Sequence, residues 1–364
     1  MSAIPEMPSI LLGFILTLIL IQSLKRPAYR LQLVDSPGVR KHHIGVIPLI
    51  GGVAMVIAFL LSVFVLGESL QDYYGLFAGM ILLTVVGLID DFRELSARSR
   101  LMVQAVAAVL IILADKIYLS DLGDLTGLGE IELYSWSIPF TIFCVVGVIN
   151  ALNMIDGLDG LAGGMSLITV GWLIMLALAS GSHDLDATLL GLLGAILAGF
   201  LCFNLRHPWR QRASVFMGNS GSMVLGFMLA WFLVDLSQGE QRAFTPITAV
   251  WILGLPLLDT VSIMIRRALN GQSPFTADRQ HLHHILLLAG YSDAQAVGLM
   301  LIISGLLGAI GMVGWYFALP DYVLFYVFVA VFSLYLYVLM RACHRVKKTS
   351  GFHEVVEKRK LQQL

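Results

Sequence analysis

Charge is what this sequence has least of. Of its 364 residues only 13% are Asp, Glu, Lys or Arg, while 58% are hydrophobic. Soluble globular chains carry about 25% charged and roughly 45–50% apolar residues. Half the usual charge cannot cover the surface of a soluble fold, which excludes a cytosolic enzyme, a secreted module and a disordered chain. Cysteine is scarce as well. Cys144, Cys202 and Cys343 lie far apart, no CxxC occurs, and an odd count argues against a disulfide framework, so all three read as packing residues. The opening MSAIPEMPS has no basic n-region, and no small-residue cleavage site follows, so the first apolar run reads as retained. Net charge is −1, which gives no reason to expect a nucleic-acid partner.

Long apolar runs are what the chain does have, and its mean hydropathy is +0.84. About 20 mainly apolar residues cross roughly 30 Å of hydrocarbon. Eleven stretches qualify, near 8–24, 46–66, 74–89, 101–119, 136–152, 161–180, 187–205, 220–236, 245–265, 296–318 and 322–340. The expectation is an all-α polytopic membrane protein of about 11 transmembrane helices. One transmembrane domain covers 1–340, with inner loops at 25–45, 90–100, 150–160, 206–219 and 266–295, followed by a basic tail at 341–364. Orientation follows from the basic residues. With the N-terminus periplasmic and the C-terminus cytoplasmic, the inner segments hold 21 of the 23 Lys and Arg and 11 of the 24 Asp and Glu, leaving only Lys116 and Arg242 outside. The near-neutral total therefore hides a net +10 inside and −11 outside.

The residues that could carry chemistry cluster at the inner ends of these runs. Asp90 and Asp91, in VVGLIDDFRELSARSR, close a span at a helix C-terminus, where the dipole disfavours negative charge and the two carboxylates repel each other. Arg93, Arg98, Arg100 or a metal must compensate. In NALNMIDGLDGLAGG, Asp156 and Asp159 are three residues apart, so a helical turn would place them on one face. That loop has no Lys or Arg of its own, so another segment, a metal or a substrate must meet its charge. In VFMGNSGS, small residues before a span would let backbone N–H groups approach a phosphate, and capping by Asn219 or Ser220 explains them equally well. In RRALNGQSPFTADRQHLHH, His281, His283 and His284 sit near Arg266, Arg267 and Arg279; the set suits a transition metal or, given the arginines, phosphate oxygens. Asp259, about two turns before Arg266, would snorkel or pair with an arginine. His42 and His43, beside Arg40 and Lys41, could bind phosphate or simply anchor a positive inner face. Carboxylates suit Mg²⁺ or Mn²⁺, and cations suit a diphosphate. A site with both, at headgroup depth, is what phosphoryl transfer between a soluble nucleotide and a lipid requires.

The segments RKHHIGVIPLIGG, LIDDFRELSARSRL, NALNMIDGLDGLAGG, FMGNSGS and RRALNGQSPFTADRQHLHH, in this order and spacing, resemble the polyprenyl-phosphate N-acetylhexosamine-1-phosphate transferases from the first span to the last. SPFTADRQHLHH is similar to the branch that primes enterobacterial common antigen and O-antigen with N-acetylglucosamine 1-phosphate. Leu282 interrupts the three-histidine run typical of the muramoyl-pentapeptide branch. The resemblance implies attack of undecaprenyl phosphate on UDP-N-acetylglucosamine, with UMP leaving and Mg²⁺ or Mn²⁺ required, in the bacterial inner membrane with the active site on the cytoplasmic face. It allows a homodimer. By motif position it implies that Asp90 and Asp91 are the essential pair, one taking the lipid-phosphate proton or helping to bind metal. Asp156 and Asp159 would serve catalysis or nucleotide contact, and Asn204 and Phe216 would hold uridine. His281, His283 and His284 would contact phosphate, with Arg266 or Arg267 in the sugar-nucleotide loop and Lys41 and Asn153 in the substrate set. Asp91 and position 219 would take the metal. The family usually has Asp at that position, and this chain has Asn219. An amide oxygen brings no charge, so metal affinity should fall or another carboxylate must take over. Direct attack and an aspartyl-phosphate intermediate both fit the spacing, as does the same reaction with another UDP-N-acetylhexosamine donor. A secondary transporter of an anion would place ionisable groups near the midplane and show internal repeats; here the acids cluster at one face and no repeat is evident.

Overall fold

The structure, a computed structural model, describes residues 7–35, 45–206, 210, 212–272 and 281–361, with side chains as far as residue 342. The described helices are α1 (Met7–Arg30), α2 (Gly51–Leu66), α3 (Tyr74–Phe92), α4 (Ala97–Leu110), α5 (Ser137–Ile155), α6 (Leu161–Ser180), α7 (Asp184–Asn204), α8 (Gly218–Asp235), α9 (Pro246–Ile252), α10 (Gly254–Leu269), α11 (Leu282–Leu288), α12 (Asp293–Tyr316) and α13 (Asp321–Leu361). Two short antiparallel strands, β1 (Val34–Asp35) and β2 (Ile47–Pro48), are the only sheet among the described residues.

Each of the eleven apolar stretches is helical, but not all are alike. Eight helical segments are long and apolar enough to cross a bilayer, or nine if α9 and α10 form one broken span, so the expected count of about 11 is not reached on that measure. α2 has only 16 residues, and α8 opens on the polar run Gly-Asn-Ser-Gly-Ser. The 245–265 stretch is not one straight helix: α9 and α10 meet at 84°. The break falls at Leu253–Gly254, three residues before Pro256, whose ring and missing N–H prevent the ladder from running through. The last helix runs on past its apolar part to Leu361.

α8 is the axis of the bundle. Its residues 220–234 are buried on every side, as expected of a helix that is apolar all round. α3 and α5 flank it most closely, with α2 and α6 alongside. Lipid is as apolar as leucine, so helices in a membrane associate through close packing at small residues. A Cβ added at Gly52 would lie 2.2 Å from the Gly221 nitrogen, one at Gly87 2.4 Å from Ser220 Cα, and one at Gly226 2.7 Å from Ile149 Cα. Of the cysteines, Cys144 is partly buried and packs against the core as expected, whereas Cys202 is exposed and does not.

Candidate active site

The C-termini of α3, α5, α7 and α10 and the N-terminus of α8 meet at one end of the bundle. Asp91, in the last turn of α3, aims its carboxylate at the first turn of α8. Oδ1 accepts from the Asn219 N–H (2.8 Å), and Oδ2 accepts from the Ser220 N–H (3.2 Å) and hydroxyl (3.0 Å). The α8 N-terminus therefore compensates a carboxylate that its own helix disfavours, through orphan N–H donors and a favourable dipole end. The VFMGNSGS expectation is corrected here: neither a phosphate nor a local side chain takes these N–H groups, because a carboxylate from α3 does. Asp90 is buried and turned elsewhere. It accepts from the Leu95 N–H (2.6 Å) and pairs with Arg100 at 3.4 Å, which fastens the turn between α3 and α4.

Asn153 on α5 joins this cluster, its amide donating to Asn219 Oδ1 (3.0 Å) and to the Ser222 hydroxyl (2.8 Å). Beyond it, residues 156–160 form turns rather than a helix, so Asp156 and Asp159 do not share a helical face as the spacing suggested. Asp159 accepts from Arg206 Nε (2.7 Å) and the Ala213 N–H (3.0 Å), and Arg206 also pairs with Asp293 at 2.6 Å. The cation missing from this loop thus comes from the end of α7. Asp156 has no hydrogen-bond donor among the described residues. Burial, then the charges of Asp159 and Asp91, push it up to about 7.

Asn204 is buried, with both ends of its amide engaged. Oδ1 accepts from the Gly160 N–H (2.8 Å) and Nδ2 donates to the Val215 carbonyl (3.0 Å). It ties the acidic turn to the segment before α8, so both ends of its amide are spent on the backbone. Phe216 is half-buried, with its N–H on the Pro48 carbonyl and its own carbonyl taking the Gly51 N–H, both at 2.9 Å.

Arg266 and Arg267, in the last turn of α10, are both buried, where cations complement the helix C-terminus. His281 caps α11, with His283 and His284 in its first turn. His283 and His284 are 4.1 Å apart between ring centres, and His281 stacks on His283 at 5.7 Å. His283 is nearly inaccessible, and its Nε2 lies against Gly157: a Cβ there would come within 2.5 Å of it. This contact joins the histidine helix to the acidic turn. Burial, then the charges of His284 and His281, lower His283 to about 3, so it works as a neutral ring. Asp259 does not pair with an arginine as expected; it binds His281, through Nδ1 at 2.7 Å. Lys41, with His42, His43, Asp278 and Arg279, lies outside the described residues.

The three histidines do not converge on a metal. Among the described residues, the His/carboxylate group with ligand atoms within 4.8 Å of one another is His183, Asp186 and Asp235. It lies at the opposite end of α7, about 30 Å away at 1.5 Å per residue. There both ring nitrogens of His183 already face acceptors, Asp186 at 2.8 Å and the Gln241 carbonyl at 2.9 Å. At the candidate site, Asp156 offers a carboxylate without a donor, crowded by two other acids. Oxygen donors of this kind fit a hard divalent cation, and Asn219 Oδ1 and the remaining Asp91 lone pairs lie on the same cluster.

Sequence reasoning missed three features. Arg206 as the partner of Asp159 comes from a loop 47 residues away. Asn150 donates to Gln104 on α4 (2.7 Å), inside an apolar run that gave no signal. Tyr335, on the last helix, donates to Asp259 (2.9 Å), and it reads in sequence as one more lipid-facing aromatic.

Residues 73–237 match the family model described as glycosyl transferase family 4. The undecaprenyl-phosphate alpha-N-acetylglucosaminyl 1-phosphate transferase of Salmonella typhi is 36% identical over 348 residues, 94% of this chain and 92% of the relative. The Escherichia coli K12 protein of the same name is 35% identical over 90% of this chain and 89% of its own length. That of Haemophilus influenzae is 37% identical over 91% and 92%. With the motif-bearing segments assembled at one end of the bundle and likeness at this level along nearly the whole chain, the protein belongs to glycosyl transferase family 4 and to its polyprenyl-phosphate N-acetylhexosamine-1-phosphate transferases.

Proposed function

We propose that the protein transfers N-acetylglucosamine 1-phosphate from UDP-N-acetylglucosamine to undecaprenyl phosphate, as the first membrane step of O-antigen or enterobacterial common antigen synthesis. A lipid phosphate oxygen attacks the β-phosphorus, the bond to the bridging oxygen breaks, and UMP leaves. The observation that carries this reading is the single cluster formed by Asp91 on the α8 N-terminus, Asn153, Asn219, the donorless Asp156 and His283 against Gly157. Relatives named for this reaction support it over nearly their whole length.

The cluster belongs on the cytoplasmic face of the inner membrane, because it lies at the inner ends of the spans, the side whose segments together hold 21 of the 23 Lys and Arg. A lipid phosphate sits at that depth, and a UDP-sugar cannot cross hydrocarbon. Asp156, Asp91 and the Asn219 amide would hold Mg²⁺ or Mn²⁺, which would offset diphosphate charge and charge developing on UMP. His281 and His284 offer ring nitrogens to phosphate oxygens, with the buried His283 packed between them and the acidic turn, and Arg266 and Arg267 offer fixed positive charge. Phe216 offers a face for uracil. Asp90 and Asp91 both have carboxylates taken up by donors, which favours direct attack by the lipid phosphate over an aspartyl-phosphate at either residue.

The test is UMP release by purified protein in detergent, with undecaprenyl phosphate and a panel of UDP-N-acetylhexosamines, with and without Mg²⁺ or Mn²⁺. Lipid- and metal-dependent release with the N-acetylglucosamine donor is expected. Preference for another donor would reassign the sugar, and absence of release with every donor would overturn the reading. In the same assay Asn219→Asp should saturate at lower metal concentration, since it restores a charged oxygen beside Asp91.

A further inference from the structure

Asp259 is a buried carboxylate in a membrane helix that the reaction outlined above does not use. Its side chain is inaccessible to solvent, yet it is not short of partners. Oδ1 accepts from the Leu282 N–H at 3.0 Å and from the Tyr335 hydroxyl at 2.9 Å, and Oδ2 lies 2.7 Å from His281 Nδ1. Three elements are thus pinned to one side chain: α10, the start of α11, and α13. With Oδ1 already receiving a backbone N–H and a tyrosine O–H, Oδ2 is the carboxylate's acceptor toward His281, so the proton between them resides on Nδ1. That fixes the ring's orientation and leaves Nε2 as its working nitrogen, for which no partner exists among the described residues. The ring also stacks on His283, whose Nε2 lies on Gly157 beside Asp156. His281 is therefore locked at a fixed distance from the acidic turn.

We propose that Asp259 and Tyr335 are positioning residues for the transfer reaction, holding His281 with Nδ1 protonated so that Nε2 faces the phosphate groups of the nucleotide sugar. This rests on the function proposed above. Orientation of an imidazole through its second nitrogen is a general device, and loss of such an outer partner typically lowers activity about 10- to 100-fold. Tyr335 supplies one of three donors to the carboxylate, so its loss is partial. It also makes the last helix part of the active site rather than an outer strut of the bundle.

Asp259→Asn retains size but can present its NH₂ to Nδ1, which favours the Nε2-protonated tautomer. Its kcat/KM for UMP release should fall about 10- to 100-fold. Tyr335→Phe should fall about 3- to 10-fold. A purely structural role would lower the melting temperature of both variants and leave the His281 tautomer unmoved. In ¹⁵N-histidine-labelled parent protein, with the His281 signals assigned by their loss in His281→Gln, Nδ1 should be protonated and become deprotonated in Asp259→Asn. If the parent is active while folded Asp259→Asn keeps its kcat/KM, the proposal is wrong. Should Asp259→Asn fail to fold, a parent His281 with unprotonated Nδ1, or an unchanged Tyr335→Phe, overturns it equally. A parent inactive with every donor defeats the proposed function instead, and the ¹⁵N spectrum still decides the Asp259–His281 pairing.

Discussion

Asp156 shows how far one side chain can be set by its surroundings. Its folded pKa is raised to about 7 by burial, with the charges of Asp159 and Asp91 adding to it, against about 3.9 for an unperturbed Asp. A raised folded value means that its contribution to stability is complete below about pH 4 and is lost as pH rises through 7. At pH 8 the folded protein then carries a carboxylate with no donor among the described residues. Asp156→Asn should abolish UMP release and yet raise the melting temperature in detergent at pH 8, by the equivalent of about 2 kcal/mol after allowance for screening. Mg²⁺ should stabilise the parent at that pH and have little effect on the variant; equal stabilisation of both would remove Asp156 from the metal set. The neighbouring Gly157 has no room for a methyl group against the buried His283 ring. Gly157→Ala should therefore cut turnover in the UMP-release assay about tenfold or more, as expected when catalytic groups shift by a fraction of an ångström to an ångström.

The element that organises the site is α8. Its N-terminus receives Asp91 from α3, its first turn takes Asn153 from α5, its Gly221 and Gly226 admit α2 and α5 at backbone contact, and α3 approaches through its own Gly87. Gly52→Ala would drive a methyl group into the Gly221 backbone, and overpacking of this sort costs about 1–3 kcal/mol. Gly147→Ala, at a position with open space around it, should be neutral or slightly stabilising because it removes a flexible residue from α5. Comparing melting temperatures of the two in one detergent separates close packing from helix propensity, and equal effects would contradict the packing described.

Over the whole molecule, charge is sorted to two ends. At the end away from the site, His183 sits between Asp186 and the Gln241 carbonyl, with Tyr73 donating to the same Asp186 and Asp235 and Asp72 nearby. Burial lowers its proton affinity, but the Gln241 and Asp186 hydrogen bonds and the surrounding acids outweigh that, so the net shift is upward. This clamp is fully present below about pH 6.5 and is lost as pH rises through the folded value. Thermal stability in detergent should fall with rising pH above neutrality, and His183→Gln should flatten that slope; a parallel decline in both would exclude the clamp. In intact cells, cysteines replacing Lys116 or Arg242 in a cysteine-free background should react with a membrane-impermeant maleimide. One replacing Arg98 should react only after permeabilisation, and the reverse pattern would invert the orientation proposed here.

Apolar run length and the placement of 21 of 23 basic residues set the membrane class, the helical stretches and the expected orientation, because hydropathy and charge act locally along the chain. The acids and histidines of the site were legible for the same reason: a carboxylate pair, or three histidines in four positions, is conspicuous where charge is rare. Which of them are tied and which are open was not legible. Asp91 on the α8 N-terminus, Asp159 on Arg206, and Asp259 between His281 and Tyr335 are partnerships across 128, 47, 22 and 76 residues. No local pattern encodes them. Only helix packing brings a donor from one segment to the carboxylate of another, and at Asp156, where none arrives among the described residues, the fold leaves a charge for a ligand to meet.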